Sequence, residues 1–444
     1  MNMKDICTRR EIGYVSIGFL LSLLHWTVCL VYFVALLCFL RQCIVGCVKG
    51  LLILTTRGIL STAVGAGIAG PTQIVKWALI FVFSLYILYF QRLDQVSFKQ
   101  LRIVNMLQLL VWIFAIYNIV VSFITGSYPI VSAFKVFSYV IPFTAIIIGV
   151  SITQKKIDWS EYCYLLLSPL ILFSAVTIPF GNFKIVNDSF QGIINHPNLF
   201  GIFGAIYICF LLYSNFSTKK KSGLDWKRVL LLILTFVMIF LSQSRTGMFS
   251  ALAILIIYFL TMNLESKVRL VIGLIIVGVV VAFYFMIDES SYVSLIEQIN
   301  TFIYKRDTDD VLQSRLGQID ASKIKYEANQ LLGSGFGVPY DPYVKNFSFS
   351  LDLTYEAGNL FISVLGDSGI IGLVLFIVYM GYILINSNSK KWILFFAPIV
   401  ISLGEMAFFA TNNIAIYYYI MFGICLCVGE EETVSVTQHN STGI

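Results

Sequence analysis

Three short polar clusters interrupt an otherwise apolar chain, and each carries residue types able to handle a charged substrate. The first is Thr354-Tyr355-Glu356-Ala357-Gly358-Asn359-Leu360-Phe361, where a polar stretch runs into a long apolar segment. Desolvation at such a boundary raises a carboxyl pKa toward that of a general base. Glu356 is therefore a candidate base, with Asn359 one helical turn away. Capping and dipole complementation at a helix start account for the same pair without chemistry. The second cluster is Ser242-Gln243-Ser244-Arg245-Thr246-Gly247, between two apolar runs. The Arg245 guanidinium can bind a phosphate oxygen pair bidentately, although Lys, Asn or Ser would serve equally in a plain turn. The third is Asn195-His196-Pro197-Asn198. His196 suits either proton transfer or phosphate contact, and Asn195 and Asn198 are substrate-binding candidates beside it. A helix start explains Pro197 fully and the cap residues in part.

Further cations deserve the same weighing. Lys76 and Lys135 each fall a few residues inside an apolar segment, at the same depth. A charge there is costly unless it faces a cavity or a partner, and two such lysines could hold a diphosphate as point charges. Snorkelling to the interface is the alternative. Arg315 is either a phosphate or sugar ligand or a salt-bridge member in an acid-rich stretch. Gly333-Ser334-Gly335-Phe336-Gly337 is not a nucleotide loop: it lacks the GxxxxGK[ST] spacing and any surrounding βαβ unit. A tight turn at the membrane surface fits it better. The usual zinc spacings are absent, and we expect neither a metal nor another cofactor.

The elements that must position these residues follow from composition. The 444-residue chain is 58% hydrophobic and 12% charged, with a mean hydropathy of +0.85; soluble domains carry about 25% charged residues. Apolar runs fall near 12–40, 43–66, 73–90, 103–125, 129–150, 162–180, 198–214, 228–242, 246–262, 268–287, 360–385 and 392–428. The last is long enough for two short spans around Gly404-Glu405, and Lys49, Arg57 and several glycines break the second. At about 20 residues per span, this is an all-α polytopic membrane protein with about 10 to 13 transmembrane helices, and not a β-barrel. The first run follows Lys4, Arg9 and Arg10, is too long for a removable signal, and reads as the first membrane helix. The nine cysteines sit mostly in apolar runs and imply no disulfide framework.

Lys and Arg collect in alternate connections, at 91–102, 151–161, 215–228, 263–269 and 386–391, which the positive-inside rule makes cytoplasmic. The connections near 66–72, 126–130, 181–197 and 242–247 are then external, whereas 1–72 do not fit the alternation. Four parts result: a helix bundle at 1–287, an external acidic catalytic loop at 288–358, C-terminal helices at 359–428, and a short cytoplasmic tail at 429–444. The loop holds eleven acids against six bases, and residues 313–331 within it have helical spacing, with Leu316, Ile319 and Ile324 on one side.

The order of these motifs, from many spans through Ser244-Arg245-Thr246-Gly247 and Gly333-Ser334-Gly335-Phe336-Gly337 to Gly358-Asn359-Leu360-Phe361 and Gly369-Ile370-Ile371-Gly372-Leu373, resembles the superfamily of O-antigen ligases and Wzy-type polysaccharide polymerases. Asn195-His196-Pro197-Asn198-Leu199-Phe200-Gly201 is similar to a stretch of the Gram-positive capsule polymerases in that group. The resemblance implies an enzyme of the bacterial cytoplasmic membrane, using a polyprenyl-diphosphate-linked oligosaccharide at the outer face. It further implies no nucleotide sugar, generally no metal, no nucleic acid, membrane lipid as surroundings, and a chain-length-regulating co-polymerase as a partner by family habit. Arginines of the family grip the diphosphate, which matches Arg245. Ligases commonly place His-Asn where the loop returns to the membrane; this chain has Gly358-Asn359, which shifts attention from a ligase to a polymerase and from histidine to Glu356. A lipid-linked oligosaccharide transporter is the reading from another class. It would carry inverted repeats, and none is visible.

Overall fold

The computed structural model describes residues 3–62, 64–91, 98–180, 184–185, 189–217, 226–261, 316–349, 355 and 357–427. The elements are α1 (Met3–Ser22), α2 (Trp26–Ala35), a 3-10 helix (Leu36–Gln42), α3 (Cys43–Gly58), α4 (Pro71–Phe90), α5 (Phe98–Ile124), α6 (Pro129–Thr153) and α7 (Trp159–Val176). A two-residue antiparallel pair, β1 (Lys184–Ile185) with β2 (Ser189–Phe190), precedes α8 (Pro197–Ser217), α9 (Trp226–Leu241) and α10 (Arg245–Thr261). Then come α11 (Leu316–Ala328), α12 (Leu360–Ile385), α13 (Trp392–Gly404) and α14 (Ala415–Cys425). Seven helical segments among the described residues are long and apolar enough to cross a membrane. The chain is an all-α polytopic membrane protein. The run at 268–287, most of the acidic loop before α11, and the tail at 429–444 lie outside the described residues.

Local sequence sets where the helices begin. Pro71, Pro129 and Pro197 open α4, α6 and α8, since a first-turn residue has no intrahelical use for its N–H. Asp158 opens α7, its carboxylate accepting from the N–H groups of Ser160 and Glu161. Helices exposed to lipid are apolar on both faces. In α5, Leu109, Ile113, Ile116 and Val120 point outward while Val111, Phe114, Asn118 and Val121 are buried, a helical repeat with no polar side. At the centre, α3 and α14 are almost wholly enclosed, with Tyr417, Tyr418 and Tyr419 fully buried in succession.

The connections sort to two ends. At one, the backbone of Ser61 donates to Ile193 and that of Asn195 to Ile59, joining the α3–α4 and α7–α8 connections. Lys76 reaches Asn412 between α13 and α14, and Phe409 from the same stretch packs its ring on Phe336, at 4.9 Å between centroids. Ser127 binds Asp341. The other end is basic: Arg228 pairs with Glu161 at 2.8 Å, and Lys391 donates to the carbonyl of Cys427 at 2.7 Å. These are the same two sets of connections that the Lys and Arg count separates.

The expected first span at 12–40 is corrected. The helix breaks after Ser22, and α2 folds back along α1, with Tyr32 against Gly18 and Phe19. His25 makes the turn by accepting the Thr27 N–H. Nor is α3 interrupted by its charges, because each finds a partner. Lys49 pairs with Glu11 at 2.7 Å, and Arg57, 1% exposed, donates to the Ser22 hydroxyl and to the carbonyls of Ser22 and Ala66. The apolar break at Gly404-Glu405 is observed, with α13 ending there and α14 starting at Ala415.

In the loop, the helix expected at 313–331 forms as α11, but its inward face is not the apolar one. Ile324 is exposed, while Ser322 and Lys325 are buried. They face a polar break in α12, where Gly369 adopts φ 64. Lys325 and Asp367 form an ion pair with both side chains 1% exposed. The same ammonium donates to the carbonyls of Gly335 and Val338, and Asp367 accepts from the Gly337 N–H at 2.9 Å. Burial pushes the Lys325 pKa down, opposed by the Asp367 charge. Glycine is required at both crossing points. A Cβ on Gly333, itself at φ 84, would lie 2.5 Å from the Asp367 carbonyl oxygen, and one on Gly369 would strike the Leu331 carbonyl. Gly-Ser-Gly-Phe-Gly is thus a tight turn, as expected, stapled to a helix break. Removing one partner leaves a buried charge, so Lys325→Met or Asp367→Asn alone should cost about 3–5 kcal/mol. Lys325→Met with Asp367→Leu should recover most of that loss; thermal unfolding in detergent measures all three.

Candidate functional site

The site grows from the turn between α9 and α10. Gln243 takes φ 52, a left-handed conformation for a non-glycine residue, and this reverses the chain after α9. Ser244 then caps α10, its hydroxyl accepting from the Gly247 N–H at 3.2 Å and donating to the Asn198 carbonyl at 3.4 Å. Gly201 and Gly247 let α8 and α10 cross at backbone contact: a Cβ on Gly247 would sit 2.5 Å from the Gly201 Cα. On the other side of Arg245, Thr246 donates to the Gly404 carbonyl at 3.4 Å. Arg245 is therefore flanked by one residue tied to the start of α8 and one tied to the end of α13. It is half-buried at the first position of α10.

The start of α12 joins the same junction. Asn359 caps it, its side-chain oxygen accepting from the N–H groups of Phe361 and Ile362 at 2.9 and 3.3 Å. Its amide nitrogen donates to the Leu403 carbonyl at 2.9 Å, one residue from the carbonyl that Thr246 holds. Glu405 follows as the C-cap of α13, half-buried. The starts of α8, α10 and α12 thus meet at one point. Helix N-termini carry partial positive charge, and with Arg245 they make the junction favourable to an anion.

The other candidates divide. His196 accepts the Asn198 N–H on its Nδ1 at 3.2 Å. That bond needs Nδ1 unprotonated, so the neutral ring offers Nε2–H as a donor, suited to an oxygen of a phosphate or sugar. His196 and Asn195 are exposed and Asn198 is half-buried. Asn198, tied through its carbonyl to Ser244 and with His196 as the cap of α8, belongs to the junction with Arg245 and Asn359, whereas Asn195 is tied by its backbone to Ile59 of the α3–α4 connection. Lys76 and Lys135 do not share a ligand position. Lys76 is buried with its ammonium on the Asn412 carbonyl, and Lys135 donates to the Gly337 carbonyl, both at 2.5 Å. Each fastens a different loop, although their neighbours Trp77 and Phe134 touch, 6.2 Å between ring centroids. Glu356 and Arg315 lie outside the described residues. Beside Glu356, Tyr355 is tied to α11 by a 2.6 Å bond to Ser322 and lies against Lys325, 4.4 Å from ring centroid to ammonium.

Two features escaped sequence reasoning. Glu405 is a carboxylate at the junction itself; in the sequence it marks only a break in an apolar run. Lys325 and Asp367 are 42 residues apart, and the readable signal was Asp367 inside Leu365-Gly366-Asp367-Ser368-Gly369, a charge where a span should be apolar. Among the described residues, no three of His, Cys, Asp and Glu come together as metal ligands would.

Asn359 has two separable duties. Asn359→Asp keeps the cap acceptor but cannot donate to Leu403, whereas Asn359→Ala loses both. The aspartate variant should lose about 1 kcal/mol through the missing Leu403 bond, and the alanine variant about 1 kcal/mol more through the lost cap. Comparing their unfolding temperatures in detergent tests the assignment.

No curated protein matches the chain. A family model described as O-antigen ligase matches residues 230–377, a stretch that includes Arg245, the 333–337 turn and the start of α12. With the bundle and the junction that this stretch builds, the match over this third of the chain supports membership of the O-antigen ligase and polymerase superfamily.

Proposed function

We propose that the chain polymerises polyprenyl-diphosphate-linked oligosaccharide repeat units into a capsular, exo- or O-antigen polysaccharide, at the outer face of the bacterial cytoplasmic membrane. The observation that carries this reading is the junction at Arg245. A guanidinium and three helix starts converge beside the carboxamides of Asn198 and Asn359, the His196 imidazole and the Glu405 carboxylate. Such a set suits an anionic leaving group attached to a sugar. The matching family model describes an O-antigen ligase. Gly358 stands where the ligases of the resemblance place a histidine, which favours the polymerase.

In the reaction, an acceptor hydroxyl oxygen attacks C1 of the donor sugar and the bond from C1 to the phosphate oxygen breaks. The polyprenyl diphosphate departs with the electron pair, and the hydroxyl proton passes to a carboxylate. Diphosphate is a good leaving group, so cationic stabilisation outweighs any need for a general acid. Arg245 supplies that charge bidentately, with His196 Nε2–H, Asn195 and Asn198 as neutral donors. Asn359 holds the return of the chain into the bundle at the junction. Glu356, three residues before Asn359, is the first choice as base, and Glu405 is the second. Lys76 and Lys135 act at one remove, by fixing the loops that frame the junction. A chain-length-regulating co-polymerase would meet the growing glycan on the same face.

The test is reconstitution in detergent with the host's own polyprenyl-diphosphate oligosaccharide, products being resolved on a gel. A ladder of lipid-linked multimers is expected. Arg245→Ala should lower its rate on the order of 10²–10³-fold, as removing one preorganised donor does in other acyl- and group-transfer sites, and Arg245→Lys should restore only part. Loss of the ladder in Glu356→Gln but not Glu405→Gln assigns the base. Transfer to a foreign acceptor without any ladder would establish the ligase instead.

A further inference from the structure

We infer that residues 340–349 form an interfacial strap that rests in the outer headgroup layer of the bilayer, with Phe347 and Phe349 facing lipid. The segment reads Tyr340-Asp341-Pro342-Tyr343-Val344-Lys345-Asn346-Phe347-Ser348-Phe349 and carries one acid and one base. Four aromatic rings in ten residues is an unusual composition for a loop in water. It is the usual one where a chain lies at a membrane interface.

The strap is fastened across the ends of two lipid-facing helices. Ser127, in the α5–α6 connection, exchanges hydrogen bonds with the Asp341 backbone, 2.8 Å each, and accepts the Asn346 N–H at its carbonyl, also 2.8 Å. Lys345 donates to the Phe123 carbonyl at 2.9 Å, in the last turn of α5. That turn presents Phe123 and Ile124 outward, 45% and 61% exposed. In a helix that crosses a bilayer, these are lipid contacts.

Depth decides the occupant. Phe349 packs edge-on against Phe134, 5.2 Å between centroids, and Phe134 in turn meets Trp77 and Phe81 of α4. Phe134 is five residues into α6, about 7 Å below its start at 1.5 Å per residue. An interfacial segment sits about 5–10 Å into the headgroup and acyl boundary. Phe349 reaches that depth and is still 52% exposed; Phe347 is 53% and Tyr343 95% exposed. The open face of Phe349 continues the apolar surface of α6, lipid covers that surface, and Phe347 lies two residues away on the same strap. A glycan would instead need these rings to stand clear of the bundle's sides. The contact requires only that the helices span a bilayer and not that the chain polymerises sugars.

The experiment places 4-trifluoromethyl-phenylalanine singly at positions 343, 347 and 349 of the full chain in lipid nanodiscs. Position 323 on α11, where the Lys323 side chain is 66% exposed, serves as the aqueous control. Fluorine signals at 347 and 349 should be lost with spin-labelled lipid and persist with an aqueous gadolinium chelate, while position 323 shows the reverse. Signals at 347 and 349 lost to the chelate as fully as at 323 would overturn the inference. So would protection from the chelate that appears only on adding lipid-linked oligosaccharide, which would make the strap a sugar platform.

Discussion

The Lys325–Asp367 pair is the constraint on which the loop-bearing half of the structure depends. Both charges are 1% exposed, and burying them is tolerable only because every neighbour is arranged to satisfy them. Two loop carbonyls and one loop N–H complete the set. Their cost is met by fixing three things at once: α11, the 333–337 turn and the break in α12 at Gly369. Buried pairs are weak evidence for net stability. Their geometric consequence is firmer, since the charges have one acceptable arrangement and a slipped loop would leave two ions unpaired. Tyr355 lies against the same ammonium, and Asn359 is tied to Leu403.

That arrangement fixes the loop where it rejoins the bundle. Loops are commonly variable and mobile, but a site for group transfer needs its groups fixed before the substrate arrives. Here the fixing runs in two chains of contacts. One passes from α8 through Ser244, Arg245 and Thr246 to the end of α13. The other passes from α11 through Lys325 to α12 and Asn359. They meet at the carbonyls of Leu403 and Gly404, which makes the end of α13 the common anchor. Glu405 is therefore better placed by the fold than an acid at a mere helix end would be.

How much of this could be read from the chain follows from where the polar residues fall. Ser244-Arg245-Thr246 and Asn359 were visible because each interrupts an apolar run, and membrane helices tolerate few such interruptions. The break at Gly404-Glu405 was visible for the same reason. The turn between α1 and α2 was not, because Leu23, Leu24 and His25 sit in a continuous apolar stretch and hydropathy has no sign for direction. The inward face of α11 was misread because periodicity assumes an apolar core, whereas Lys325 and Ser322 pack on a polar break. Pairing across 42 residues leaves no local trace. Lys76 and Lys135 stand out in the sequence as cations inside apolar segments, but sequence cannot show that backbone carbonyls, Asn412 and Gly337, take them.

The use of those two lysines bears on how the site can be selective for an anion. Were their ammonium groups turned into the junction, the field there would be strongly positive whether or not substrate was bound, and any phosphate would be drawn in. Tied to carbonyls, they contribute to the framing of the site instead. The junction is left with one guanidinium, whose planar fork matches a phosphate edge, and with helix starts whose first N–H groups are partly occupied by their own caps: Asn359 on α12, His196 on α8, Ser244 on α10. An anion must then satisfy Arg245 geometrically rather than merely neutralise a patch.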